Sequence, residues 1–387
     1  MGLTYSAEVE PRRFGHEKKV ESKGFGFNMR RRRALLMLNA RENMVQVLEG
    51  GTPDRFVNQY EALSLLFHPF LLASPFCPKG TPFEDPIPNA WGVYNCYPDN
   101  NPGSFPVHDD EHVLVKDIEC WQQYVTPPSL DFSNELWDQA QAMSDAVDGS
   151  KTIKALFVAP GLFEQCHHMC KVDEVLAAMY EYPDELHDMI KMLVDWEIKL
   201  AEGFIEHMHP EAIFHHDDWG SQTSTFMSPE MFEEFYVDGY KEIYGYYHEN
   251  GVKWVFHHSD SYAATLVPDM IEMGIDCWQG CFSTNDIPAM CEKYGDKITF
   301  MGGIDNHFVD FEEWTPENNR EVVRKTIDED SVPGKGFIPC IVQGGPGSVF
   351  PGVYEDLTKQ IDEYNTEKFG FTQEELEAAR LPISIMF

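Results

Sequence analysis

The sequence predicts an α/β protein: a (β/α)8 barrel of the TIM type over residues 41–387, with an N-terminal helical extension over residues 1–40 and an insertion folded across the barrel mouth. Three observations predict it. From residue 150 onward short apolar runs alternate with long amphipathic segments, which is the rhythm of a parallel βα sheet. Several runs end in polar side chains, above all His215-His216-Asp217-Asp218 and His257-His258-Ser259-Asp260, and barrels carry their chemistry at the C-terminal ends of strands. A chain of 387 residues, 43% hydrophobic and 13% aromatic, can bury one large core without a second fold.

The elements follow in order. The basic cluster Arg30-Arg31-Arg32-Arg33 precedes Ala34-Leu35-Leu36-Met37-Leu38, an apolar run too short for an export signal. Asn39 and Glu42 then have capping-box spacing for a helix, and the residues before them read as a solvated arm that packs on a partner subunit in a homodimer. The first strand is expected at Arg55–Tyr60. Residues 64–135, rich in Pro, Asp, Asn and aromatic residues, read as the insertion, with Trp91 and Tyr94 as apolar walls or lid.

Ile153–Val158 is the next expected strand, and a helical region runs from it to about Met208 with Leu186, Ile190, Leu193, Leu200 and Phe204 on one face. Glu211–His216 follows as a strand; Ser228 then caps a helix with Pro229 at its first position, and Gly251 ends it. Val252–His257, Ile275–Trp278, Ile298–Met301 and Phe337–Val342 are the remaining strands, separated by helices reaching Met273 and Tyr294 and by one near Pro316–Ile327. That makes seven strands, with an eighth expected.

Composition narrows the function. A formal charge of −36 argues against nucleic acid and anionic membranes, which need clustered Lys and Arg, and no apolar run is long enough to span a bilayer. Nine cysteines, an odd number without a secretory segment, point to reduced thiols and a cytoplasmic setting. Between Arg55 and Arg320 there is no arginine. The planar fork that grips carboxylates and phosphates is missing from the whole stretch, so the substrate is expected to be neutral or weakly charged.

The candidate site consists of polar strand ends: His215 to Ser221 with Gln222, His257 to Ser261, Trp278-Gln279, and Gly302-Gly303-Ile304-Asp305. Histidine can hold zinc through a neutral ring nitrogen or move a proton near neutral pH, and aspartate can complete a zinc site or orient an imidazole. Cys166-His167-His168-Met169-Cys170 is a rival metal cluster, with its two cysteines on one helix face, and Cys277 and Cys281 repeat that spacing. Asp305-Asn306-His307 begins like the signature of corrinoid carriers, but Asp310 stands where that signature needs glycine, so the chain is not itself a carrier.

The residues resemble the uroporphyrinogen decarboxylase superfamily, which includes cobalamin-dependent methyltransferases of anaerobes. The resemblance runs from about Arg41 to Phe369, through Gly51-Thr52-Pro53-Asp54-Arg55, Asp217-Asp218-Trp219-Gly220-Ser221-Gln222, Met227-Ser228-Pro229-Glu230-Met231-Phe232, His258-Ser259, Phe300-Met301-Gly302-Gly303-Ile304-Asp305 and the end near Gly344-Gly345. The decarboxylase has a paired-arginine segment where this chain reads Val57-Asn58-Gln59-Tyr60-Glu61, which counts against porphyrinogen decarboxylation. Thiol-methylating members bind zinc through a His-x-Cys pair and a later Cys; here those positions are His258, Asp260 and, most nearly, Gln343, which counts against coenzyme M methylation.

The resemblance then implies transfer of a methyl group from a methoxylated substrate, an aryl methyl ether by preference, to cob(I)alamin on a separate corrinoid protein. The implied catalytic residues are His258, Asp218, Asp217 and His216, with His258, or a zinc held by His258 with Asp260 or Asp218, activating the leaving oxygen. Tyr60, Trp91, Trp219, Gln222, Trp278, Gln279, Asp305 and Gln343 are expected to bind substrate.

Overall fold

Strand alternation organises this molecule. The structure, a computed structural model, describes residues 37–74, 76–99, 101, 103–343 and 348–381. The N-terminal arm, its basic cluster and the glycines at 344 and 345 lie outside the described residues. Among the described residues seven parallel strands form one sheet in chain order: β1 Leu63–Leu66, β2 Ile153–Val158, β3 Ala212–His216, β4 Trp254–His258, β5 Cys277–Cys281, β6 Thr299–Ile304 and β7 Phe337–Ile341. With helices between successive strands this is the (β/α)8 barrel class that the alternation predicts.

Helix α1, Ala40–Leu48, opens with the expected capping box between Asn39 and Glu42. The segment expected as the first strand, Arg55–Tyr60, is a turn, and the strand forms at Leu63–Leu66 instead. Gln59 lies at φ 50°, which no strand accommodates, and the Asn58 amide turns onto the Glu61 carboxylate at 3.1 Å. The segment serves the barrel in another way. Gln59 donates its amide to Pro339 at 3.3 Å and accepts from the Ile341 amide at 3.2 Å, so it links the start of the barrel to β7.

After β2 the expected helical region is three helices: α2 Leu162–Met169, α3 Val172–Glu181 and α4 Pro183–Met208. Pro183 at the first position of α4 has no N–H for a continuous helix, so α3 ends before it. The apolar face expected on α4 is buried, with Leu186, Ile190, Leu193, Leu200 and Phe204 all in the core. Ser228 caps its helix as expected, and α5 Asp238–Glu249 completes that segment.

The two faces of each strand enter different cores. Ile153, Ala155 and Phe157 meet Ala212 and Phe214, Trp254 and Phe256, Cys277, Met301 and Cys340 inside the barrel. Leu156, Val158, Ile213, Val255, Trp278 and Phe300 pack outward against the helices. A bulge between Gln279 and Cys281 shifts the register, which sends Cys277 inward and Cys281 outward and separates that cysteine pair. Gly280 makes the bulge possible at φ 96°, where a Cβ would lie 2.7 Å from the Ser259 carbonyl.

The insertion follows β1, so Leu63–Leu66 belongs to the barrel. It contains a small antiparallel sheet of Ile87–Pro88, Tyr94–Cys96 and Phe105–Pro106. Among the described residues no helix is long and apolar enough to cross a membrane.

Candidate active site

Register alone brings three expected residues together. His216 pairs with His258 across β3 and β4, and His258 pairs with Gln279 across β4 and β5. The level beneath them is Phe214, Phe256 and Cys277, which point into the barrel, so two residues further along each strand the side chains again face inward, at the C-terminal mouth. The imidazoles of His216 and His258 stack with centroids 4.4 Å apart, and Asp218 reaches the pair with its carboxylate 4.0 Å from His258 Nε2. The Asp260 amide donates to Asp218 at 2.7 Å and fixes it there.

Each imidazole is oriented from behind. His216 Nδ1 donates to Glu164 Oε2 at 2.7 Å, and His258 Nδ1 donates to the Gln279 side-chain oxygen. With both Nδ1 protons spent on acceptors, Nε2 of each ring is left for a proton or a ligand. Glu164, which orients His216, is not among the residues that the sequence pointed to. It lies in the first turn of α2 and is 8% exposed, and the available signal was a carboxylate three residues before His167-His168. Burial pushes its carboxyl up to about 7 against the pull of His216. Burial alone would lower His216; the carboxylates of Glu164 and Asp218 outweigh it and raise this imidazole to about 10. His258 is lowered to about 4 by burial and by the neighbouring His216, so its ring is neutral. Burial and the adjacent Asp218 push the Asp260 carboxyl well up, and the Gln343 side chain hydrogen-bonds to it.

Aromatic rings line the wall beside His258. Phe214 lies 6.3 Å from the imidazole, Phe157 stacks on Phe214 at 6.1 Å, and exposed Phe76 meets Phe157 edge-on at 6.0 Å. Tyr60 continues the row inside the barrel, 6.1 Å from Phe214.

The other expected residues are elsewhere. The Asp217 carboxylate accepts from the Phe163 and Glu164 amides at 2.9 and 2.7 Å, from the Trp219 indole at 3.0 Å and from the Tyr240 hydroxyl. It is buried and caps α2, with no lone pair facing the mouth to spare. Gly161 permits this approach, since a Cβ there would lie 2.5 Å from that of Asp217. Trp219 is buried and stacks on outward-facing His257 at 4.1 Å, and Trp278 is buried with its indole on the Ser259 carbonyl at 2.9 Å. Trp91 packs edge-on against Trp196 of α4 at 4.9 Å, over a cavity of about 20 Å³ that has room for one water and none for an aryl ring. Tyr94 contacts His112 at 5.0 Å. Asp305 accepts from the Ser283 amide and hydroxyl, at 3.0 and 2.6 Å, and ties down the loop after β5. Gln222 is exposed.

The donor chemistry fits zinc. One ligand atom from each of His216, Asp218 and His258 lies within 4.8 Å of the others, and both imidazoles carry the outer hydrogen bond that fixes the ligating tautomer. Of the two expected partners of His258 the cluster contains Asp218, His216 joins them, and Asp260 turns to Gln343. Charge agrees with the sequence. The arginines among the described residues pair with carboxylates away from the mouth: Arg41 with Glu211, Arg55 with Asp54, Arg320 with Glu363, Arg324 with Glu367 and Arg380 with Asp362.

A polar cluster at the mouth of such a barrel is shared by many enzymes, so family membership rests on the sequence. The family model described as uroporphyrinogen decarboxylase (URO-D) matches residues 96–345, more than half of the chain. This chain belongs to the uroporphyrinogen decarboxylase family. As a uroporphyrinogen decarboxylase family member it carries the matched region from the insertion through β7, with every residue of the His216, Asp218 and His258 cluster inside it. No curated protein matches the chain. Among solved structures, a methyltransferase from Methanosarcina mazei superposes with a TM-score of 0.59 at 13% identity, over 84% of this chain and 99% of that one. At that identity the likeness concerns the fold.

Proposed function

We propose that this member of the family is a corrinoid-dependent methyltransferase that moves a methyl group from an aryl methyl ether to cob(I)alamin on a separate corrinoid protein. The observation that carries the reading is the His216–His258 stack with Asp218, beside a wall of aromatic rings in a mouth that no described arginine enters. A methoxylated aryl ring is neutral and flat, and exposed Phe76, edge-on against buried Phe157, offers it an aromatic surface. That a methyltransferase from Methanosarcina mazei has the same fold supports this reading.

Cob(I)alamin is itself a strong nucleophile, so the protein has two tasks: to hold the ether in line and to make its oxygen a better leaving group. As the methyl carbon passes to cobalt, the oxygen–methyl bond breaks and the oxygen keeps the electron pair. The site meets that developing charge with the raised His216 imidazolium, whose Nδ1 proton is held by Glu164 and whose Nε2 proton is the one to give. Neutral His258 is the poorer acid, which moves the proton donor from the residue expected by sequence to its stacked neighbour. If zinc occupied the cluster, neutral His216, His258 and Asp218 would hold it in place of the His216 Nε2 proton, and it would supply a Lewis acid for the leaving oxygen.

Purified protein incubated with a reduced corrinoid carrier and a panel of methoxylated aromatics is expected to give methylcobalamin absorbance. Absence of that absorbance across the panel would overturn the reading. Consumption of methylcobalamin on addition of free thiol would replace it with the thiol methyltransferase alternative, and carbon dioxide released from a porphyrinogen would replace it with decarboxylation.

A further inference from the structure

The first helix after β2 carries a second group of ligands, of which the methyl-transfer reading uses Glu164 alone. Glu164, His167 and His168 stand at positions i, i+3 and i+4 of α2, so the three project from one side of the helix. One ligand atom from each lies within 4.8 Å of the others. The sequence marks this turn for its cysteines, and the structure reverses the assignment. Cys166 and Cys170 are 0% and 2% exposed in the helix–sheet core, and burial pushes the Cys166 thiol well up and the Cys170 thiol to about 12, so neither offers a thiolate.

Two further observations point to an ion. His167 Nδ1 is buried without a hydrogen-bond partner, a state that is unfavourable unless something binds there. His167 and His168 meet edge to face with ring centroids 4.8 Å apart, so the two rings lie side by side at the turn. The Glu164 carboxylate accepts from His216 Nδ1 through Oε2, and one of its oxygens lies within 4.8 Å of a ring nitrogen of each histidine of its own helix. The turn is braced from the insertion, where His108 Nε2 donates to the His168 carbonyl at 3.1 Å.

We propose that Glu164, His167 and His168 form a second metal site for a borderline divalent cation of the zinc class. Two imidazoles and one carboxylate suit such an ion and do not suit calcium or magnesium, which take oxygen ligands. The site is separate from His216, Asp218 and His258, and Glu164 joins the two by hydrogen-bonding His216 while facing His167 and His168. An ion there fixes the Glu164 carboxylate and, through it, the His216 ring. The inference does not depend on which reaction the mouth performs.

The test is a metal titration of the full chain, stripped with chelator and then given Co(II), with bound ions per chain counted by elemental analysis and ligand-field absorption recorded. Wild-type protein is expected to bind two ions. The His167→Gln/His168→Gln variant, which keeps side-chain volume, is expected to bind one, and its remaining spectrum should disappear when His216→Ala and His258→Ala are added. Wild-type stoichiometry in the His167→Gln/His168→Gln variant with unchanged circular dichroism would overturn the site. A single ion in wild-type protein that is lost only with His216→Ala/His258→Ala would overturn it equally. A single ion lost only with the His167 and His168 changes would support this site and remove zinc from the mouth, so the two readings fail separately.

Discussion

His215 and His257 differ from His216 and His258 in face and not in chemistry. The two doublets are sequence neighbours on paired strands, with His215 opposite His257 and His216 opposite His258. His215 turns outward and pairs with Glu197 of α4 at 2.8 Å; His257 turns outward and meets the Tyr244 hydroxyl of α5 at 2.8 Å. Both are 0% exposed and work as polar rivets between sheet and helices. The inward pair meets at the mouth, where His216 is 28% exposed at its side chain and can reach a substrate. One residue of register separates a histidine locked between sheet and helix from one at the mouth, because side chains alternate along a strand.

This comparison can be broken by substitution. The largest expected effect is on the inward pair: His216→Ala or His258→Ala should lower methyl transfer by about 100- to 10,000-fold, the range for losing a positioned proton donor or ligand, with the thermal midpoint close to wild type. A large loss of stability without loss of specific activity would place these residues with the rivets. Asp217→Ala is expected to act in the opposite way. It strands four donors, two of them amides at the start of α2, and should cost about 3–5 kcal/mol in denaturant titrations.

A third buried histidine sharpens the contrast through pH. His68 is lowered to about 3 by burial, against a hydrogen bond to the Phe157 carbonyl. Its folded value lies below its unfolded one, so the unfolded chain takes up a proton first, and stability is lost as pH falls from about 6.5 toward 3, at about 1.4 kcal/mol per unit. His68→Gln should flatten the acid side of the stability profile; an unchanged slope would show that His68 is not the group responsible. Glu197→Gln weakens one rivet and should cost about 1–2 kcal/mol, with activity within about twofold. The smallest effect is expected at exposed Gln222, where Gln222→Ala should stay within about 0.5 kcal/mol and leave turnover unchanged.

Much of the fold was legible because the barrel strands are short apolar runs bounded by capped helices, and six of the seven were placed from that pattern. The first was not, because Arg55–Tyr60 has a strand's composition but Gln59 adopts φ 50° and spends its side chain on β7, a long-range contact with no local signature. At the site, His216, Asp218 and His258 could be read from their position after apolar runs. The division of labour among them could not. Asp217 and Asp218 are adjacent and chemically identical, and only the approach of α2 and Tyr240 makes the first a cap and leaves the second at the mouth. Trp219 and Trp278 suit an aryl ring by composition, yet both are taken by packing and by hydrogen bonds to the protein itself.

The sequence by itself determined the barrel, the strand ends where chemistry gathers and the absence of arginine from the stretch that builds them, since periodicity and charge are properties of the chain. Tertiary structure decided which histidine of each doublet faces the mouth, how the register aligns His216, His258 and Gln279 at one level, and that Glu164, 52 residues before His216, orients it. These depend on register and on the docking of α2 over the strand ends, and distances between residues far apart in the chain are fixed only when the strands have paired.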